Sequence, residues 1–599
     1  MISSRLRTTL CAIVALIPAA AHAQAREKGP LNQYGNPARI DPRPTKVAID
    51  EADLRTRLYI FADDSMMGRA AGTVGNQKGT DYIAAELKKL GLEPAGDNGT
   101  YFQALPFGTR TFTSESQLSA GGRDLRIDSD FLPIPTGVQP GTITLQNAQV
   151  IFGGVAGDTA QQIATPLAAG RIVVLLPNPV GAGGGRGGRG GGGGGGGGGR
   201  GGRGGFGGGP NARFAGALAI VTVDLDSASA QQRAVNRPTR STMQQQPQQV
   251  VAGTTMLGPS PAPVSIRVTR AAAEAMMGAP LGTLQPGTAG ARVSGRLVLE
   301  ERRTPEFGRN VVAILRGSDP TLRNEFVAIG AHNDHDPIQA NPVDHDSVKA
   351  YLAEVYRQRM ADGRQVLAAD TTMNRIARER VNMTAIRKRG PARLDSIRNG
   401  ADDDGSGSMA LLEMAEYFAL APEKPKRSVL FVWHTGEETG LQGSRFYTDN
   451  PTVPITSIVA QLNMDMIGRG RADDIPGGGP DYLAVVGSNR LSSDLATMVT
   501  TANKQQKSPF KLDYRFDDSV TWAGYNNIYG RSDHANYANK GIPIAFFFTG
   551  LHADYHQLTD EPQYIDYPHY SRIANYIRDL AVTVANNPER PKVDRRIAQ

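Results

Sequence analysis

Cysteine is nearly absent from this chain of 599 residues: the only one is Cys11. It lies in an N-terminal stretch that reads as an export signal, with Arg5 and Arg7 at its start, an apolar run from Leu10 to Ala20, and Ala21-His22-Ala23 fitting the small-x-small cleavage rule. Cleavage near Ala23 removes the thiol, which excludes both disulfides and cysteine catalysis from the mature chain. The apolar run is too short to span a bilayer, and no other segment is apolar enough. The expectation is an exported protein, periplasmic or secreted, with no membrane span. Basic blocks are missing as well. The net charge is +7, and four of the positive charges (Arg186, Arg189, Arg200, Arg203) sit in one glycine tract. No basic helix appears elsewhere, so a nucleic-acid partner is not supported. Glycine shows no collagen period either: 23 of the 70 glycines fall within 181–209, leaving 70 − 23 = 47 for the rest of the chain. Such a tract buries too little side chain to offset its ordering entropy, and a disordered loop is expected there. Arg-Gly-Gly repeats also occur in RNA binders, but export favours a tolerated loop expansion.

Hydrophobic residues at 40% and charged residues at 21% supply a sizeable core. Residues 24–50 are polar and Pro-rich and read as a leader. From 51 to about 125 the pattern turns helical: Tyr82, Ile83, Leu87 and Leu90 share a face and Gly91 stands as a stop. Residues 126–295 carry short β-type runs (Ile143–Leu145, Val150–Phe152, Ile172–Leu176, Leu218–Val223) punctuated by Gly, Pro and Thr, which predicts a small β-rich domain interrupted by the glycine tract. From 296 to 590, apolar strands alternate with helical stretches: Val311–Leu315, Phe326–Ile329, Val429–Trp433, Ile458–Leu462, Tyr482–Val486 and Ile544–Phe548, with an amphipathic helix over Met409–Leu420. That alternation predicts an α/β domain with a largely parallel, mixed central sheet flanked by helices. A charged, Arg-rich stretch, 336–399, reads as inserted helices.

Ligands of such sheets collect beyond the carboxyl ends of the strands. After Phe326–Ile329 comes Gly-Ala-His332-Asn-Asp334-His335. After Val429–Trp433 come Glu437 and Glu438, after Ile458–Leu462 comes Asp465, and after Ile544–Phe548 come His552, Asp554, Tyr555 and His556. An Asp-rich turn, Asp402-Asp403-Asp404, precedes the helix at Met409. Seven of the nine histidines lie between His332 and His556. Imidazole nitrogens and carboxylate oxygens without a competing thiol suit Zn²⁺. Two clustered metals need a bridging carboxylate, which an Asp-rich turn can provide. A lone His after a strand is ordinarily structural and a Glu pair ordinarily solvated; it is their coincidence at four strand ends that points to a site.

Together Gly330–His335, Gly400–Gly407, Phe431–Ser444, Leu462–Gly468, Ser532–His534 and Gly541–Asp560, with Gly68-Arg69 and Gly96–Phe102, resemble metallopeptidase family 28, the secreted di-zinc aminopeptidases. The β-rich segment resembles the protease-associated domain often inserted in that family. The resemblance implies two Zn²⁺ per chain: His332 and Asp465 as terminal ligands of one, Glu438 and His556 of the other, and Asp403 bridging, with a cis peptide between Asp403 and Asp404. It implies Glu437 as general base and Asp334 as the partner orienting His332. Tyr555 beside His556 is either a hydrogen-bond donor to a developing oxyanion or simple packing. Peptides are the implied substrates. Carboxypeptidase or dipeptidase action on the same site is the alternative, and no oligomeric state follows from the sequence. The chain departs from the family in its 336–399 insertion, which separates His332 from Asp403. This insertion repeats the Asp-His-Asp pattern as Asp344-His345-Asp346, either an extra metal site or a solvated loop. Leu352, Val355 and Tyr356 at helical spacing can pack it against the site as a wall or lid; the alternative is an excursion pointing away.

Overall fold

The structure is a computed structural model describing residues 32–595, apart from 136–139, 157, 159–160, 178–212, 215, 227–238, 244–262, 304–307, 340–341, 362–376, 378 and 518–527. The export signal, the 181–209 glycine tract and the middle of the insertion therefore lie outside the described residues.

One nine-stranded sheet carries the larger core. Its strands are β1 (Glu93–Pro94), β2 (Phe102–Ala104), β3 (Arg309–Leu315), β4 (Phe326–His332), β5 (Ser428–His434), β6 (Ile458–Met464), β7 (Tyr482–Val486), β8 (Lys511–Asp513) and β9 (Ile544–Phe548). The spatial order is β1-β3-β5-β4-β6-β9-β7-β8, with β2 beside β3. The four central strands, β5-β4-β6-β9, run parallel. Antiparallel β3 and β7 flank them, so the sheet is mixed at its margins and parallel where its residues are most buried. β4, β5 and β6 are buried along their whole length, as expected for strands covered on both faces.

Helices do the covering. Gly407–Leu420 is buried nearly all round because the sheet lies on one side and the helix Glu51–Phe61 on the other. Met409, Leu411, Leu412 and Met414 are each completely buried, each contributing about 1.5–3 kcal/mol of apolar burial. Buried Arg57 joins the two helices by ion pairs to Glu413 and Glu416 and reaches Glu86 at 3.1 Å. The helix Val74–Lys89 opens on a Thr73 cap and is followed by Gly91 at φ 69°, the left-handed conformation glycine adopts without strain. Tyr567–Asn586 closes the chain against the same core.

A second, ten-stranded sheet has its own apolar core. Its strands begin at Phe107–Phe112, which pairs with the last, Ala289–Arg303, so it extends on both sides of the 126–295 read from the sequence. The two runs predicted around Ile143 and Val150 form a single bent strand, Gly141–Val155. Among the described residues no helix is long and apolar enough to cross a membrane.

Candidate metal centre

Parallel strands bring their carboxyl ends to one edge of a sheet. His332 is the last residue of β4, and Asp465 follows β6 directly. Glu437 and Glu438 follow β5, His556 lies on the loop after β9, and Asp403 sits on the turn leading into Gly407–Leu420.

Buried carboxylates hold these segments together. Asp404 accepts from the backbone N–H of His332 at 3.0 Å, of Gly407 at 2.8 Å and of Met466 at 3.2 Å, stitching β4, the helix start and the end of β6. Asp560 accepts from the N–H of Asp402 and Asp403 at 3.0–3.1 Å. The Asp403–Asp404 peptide is cis. Gly400, at φ 53°, leaves no room for a side chain: a Cβ would stand 2.4 Å from the Asp403 carbonyl oxygen and 2.5 Å from the His335 ring.

The structure brings all five expected ligands together. His332 Nε2 lies 3.3 Å from Asp403 Oδ1 and 3.6 Å from Asp465 Oδ1. His556 Nε2 lies 3.0 Å from both Asp403 Oδ2 and Glu438 Oε2. Asp403 thus faces two groups, one with each of its oxygens. Ligands 2.0–2.2 Å from a tetrahedral zinc stand roughly 3.3–3.6 Å from one another, so the first group matches that spacing and the second is slightly tighter. His332 Nε2 and Asp403 Oδ2 are buried with no hydrogen-bond partner, a state costing about 1–3 kcal/mol per group that a cation would relieve. The donor set therefore fits a metal pair.

The electrostatics agree. Burial pushes His332 down, but the carboxylates of Asp465, Asp334 and Asp403 overcome it and hold the imidazole well above its usual range. Burial and Asp403 push Glu438 up, yet His556 and His335 bring it to about 2. Glu437 goes the other way: burial raises its carboxyl well above the usual range, His332 opposes, and Asp465 and Glu438 add to the rise. It lines the cavity in front of the ligands with Met466, Phe546, Leu551, Tyr555 and Arg531.

Two expected contacts differ in detail. His332 Nδ1 meets the carbonyl oxygen of Asp334 at 3.0 Å, whereas the Asp334 carboxylate stands at 3.7 Å and instead accepts from the Glu437 N–H at 3.2 Å. Asp334 therefore touches both the ligand and the candidate base. The Tyr555 ring stacks on His556, and its hydroxyl accepts from Arg531 at 3.1 Å, leaving its own proton free to be donated.

Sequence reasoning missed His335 and Asp336. His335 Nδ1 is 2.9 Å from Glu438 Oε1 and forms a three-atom group with Asp403 and Glu438; Asp336 forms another with Glu438 and His556. The His-x-x-His spacing of His332 and His335 was the available signal. In the repeated Asp344-His345-Asp346, His345 forms a further candidate metal-holding group with Asp395 and Glu561. His345 is fully buried, with Nε2 3.2 Å from Glu561, and Arg393 stands 3.7 Å from that carboxylate.

The α/β sheet thus carries a carboxylate and imidazole cluster able to hold metal at its carboxyl edge. Residues 310–581 match Peptidase family M28. Among curated relatives, Leupeptin-inactivating enzyme 1 of Streptomyces exfoliatus is 32% identical over 28% of this chain and 34% of its own length. An aminopeptidase of Pseudomonas aeruginosa is 33% identical over 26% of this chain and 27% of its own. The chain thus spans about a third or less of these relatives. A zinc aminopeptidase from Bacillus subtilis aligns over 92% of this chain and 99% of its own, at 16% identity and a TM-score of 0.48.

Proposed function

We propose that the chain is an exported zinc-dependent exopeptidase, an aminopeptidase releasing N-terminal residues from peptides, with two Zn²⁺ per chain. The observation that carries this reading is Asp403 lying between the His332–Asp465 and Glu438–His556 groups. His332, Asp403 and Asp465 would hold one ion, and Asp403, Glu438 and His556 the other. Zinc in such a place supplies Lewis acidity, polarising a carbonyl and lowering the pKa of water toward ~7.

The chain's own groups do the rest. Glu437 is half-buried beside the ligands, and its raised pKa suits a group that takes a proton from water and returns it to the leaving amine. Asp334 fixes the backbone of Glu437 and the His332 ring together. Tyr555, with Arg531 donating to its oxygen, can give its proton to a developing oxyanion. Met466, Phe546, Phe548 and Leu551 exclude water and accept an apolar side chain. The name of the Pseudomonas aeruginosa relative, an aminopeptidase, supports action at the amino terminus. The β-rich domain is read as protease-associated, and residues 1–23 as the export signal.

One observation favours a second reading. Arg531 is a cation lining the cavity, and a guanidinium matches a terminal carboxylate better than a terminal ammonium. Carboxypeptidase or dipeptidase action is therefore the alternative. Peptides blocked at either end decide between them. The aminopeptidase reading expects cleavage of C-amidated peptides and none of N-acetylated ones. The reverse pattern assigns carboxypeptidase action, and cleavage confined to peptides with both ends free assigns dipeptidase action.

A further inference from the structure

The insertion is no loose excursion. Its ends are tied by a short antiparallel pair, Val343–Asp344 with Leu394–Asp395. Its long helix, His345–Ala361, lies against the loop 551–564. That loop carries the cavity-lining Leu551 and Tyr555, the ligand His556, and Asp560, which holds the Asp402–Asp403 backbone. The helix meets it at four places. Tyr356 donates its hydroxyl to the Leu551 carbonyl at 3.3 Å. Lys349 forms an ion pair with Asp554 and lies 3.8 Å above the Tyr564 ring. His345 stacks on Tyr564 and approaches Glu561. Tyr356 and Val355 are buried in the process.

Asp554 is the hub. Besides Lys349 it takes Arg469 at 3.1 Å and the Thr559 hydroxyl at 2.6 Å. Its own N–H donates to His552 Nδ1 at 3.1 Å, which leaves the proton of a neutral ring on Nε2, where it can be donated to Asp402 Oδ2 at 3.1 Å. Asp402 is the neighbour of the shared Asp403, and Asp554 lies two residues before His556. A cation from the insertion thus terminates a buried chain of contacts that backs one residue facing both metal groups and another facing the second alone. Removing one partner from such a chain leaves a buried carboxylate short of a cation and loosens what it holds.

We propose that the insertion is a fixed bracket for this wall of the site, with Lys349 and Tyr356 as positioning residues that set the shape of the cavity and the grip on the His556-side metal. The proposal rests on the proposed function, its substrate arm on the aminopeptidase reading and its metal arm on two zinc ions per chain. The test uses full-length, zinc-loaded protein: wild type, Lys349→Met, Lys349→Arg and Tyr356→Phe. Two quantities are measured, the ratio of kcat/KM for leucyl against alanyl chromogenic substrates and the rate at which a chelator removes each zinc equivalent. A bracket predicts that Lys349→Met changes the leucyl-to-alanyl kcat/KM ratio by about tenfold and speeds release of one zinc equivalent by about tenfold while sparing the other. Lys349→Arg, which keeps the charge, restores both, and Tyr356→Phe moves both in the same direction by less. A uniform loss of kcat/KM with unchanged ratio and unchanged zinc release overturns the bracket. Should Lys349→Met not fold, Tyr356→Phe is judged by the same two criteria. If wild type cleaves no aminoacyl substrate, it is the aminopeptidase reading that fails, and zinc release alone decides the bracket.

Discussion

Asp403 and Glu437 separate two roles that adjacent carboxylates can confuse. Asp403 contacts imidazoles of both groups, whereas Glu437 lines the cavity with a raised pKa. Glu437→Gln is therefore expected to keep both zinc ions and to lower kcat by about 10²–10⁴, while Asp403→Ala loses metal together with activity. Zinc analysis of the purified variants checks this, and loss of zinc from Glu437→Gln would reverse the assignment. His534 gives a prediction for stability. It is buried against Phe546 at a ring distance of 4.5 Å, and burial holds its pKa down to about 4. Between pH 6.5 and 4 the unfolded chain takes up a proton here that the folded one does not, so acidification removes stability. The full loss is about 3 kcal/mol. His534→Phe should show a correspondingly flatter dependence of the urea midpoint over this range; equal slopes would count against it. At this scale the sequence was informative wherever chemistry follows a strand end. It was less informative where a residue finds its partner only through folding: the His-x-x-His spacing places His335 near His332 but not against Glu438.

Among the connecting segments, the short one at Asp64–Arg69 has a consequence beyond its length. Arg69 is fully buried, and its guanidinium donates to backbone carbonyls of four residues: Phe61 at 3.0 Å, Asn333 at 3.3 Å, Asn399 at 2.6 Å and Gly400 at 2.9 Å. Asn333 precedes the insertion and Asn399 is its last residue, so one side chain pins both of its ends. Arg69→Lys keeps a charge but not the planar fork. With two or so charged hydrogen bonds lost, it should cost about 2–4 kcal/mol of stability, read as a lower urea midpoint; an unchanged midpoint would mean the fork carries nothing. The motif Gly68-Arg69 was legible as a family feature, but its partners were not, since they lie far along the chain. Parallel strands were the most legible elements, because burial on both faces writes continuous apolar runs such as Val429–Trp433. The β-rich domain was less so. Its first strand Phe107–Phe112 belongs there only through pairing with Ala289–Arg303 and Thr239–Met243, and its bent strand hides its continuity where the register slips between Leu145 and Ala148, with Asn147 at φ 53°.

Across the whole molecule, two sheets with separate cores share one chain, and the one carrying the candidate metal centre is assembled from segments on both sides of the other. Ile172–Leu176 and Ala219–Val223 pair directly in parallel, so the long glycine-rich connection between them is not needed to hold their register. Replacing 181–209 by a short Gly-Ser linker is expected to leave zinc content and peptidase activity nearly unchanged, since each doubling of loop length costs only about 0.6 kcal/mol. A tenfold fall in activity, about 1.4 kcal/mol in the barrier, would give the tract a role. The most direct test of the central claim is a zinc titration of chelator-stripped protein, following hydrolysis of a peptide with a free amino terminus. The account predicts no activity without metal and a maximum reached at two equivalents per chain. Full activity in the stripped protein, or saturation at a single equivalent, would contradict it.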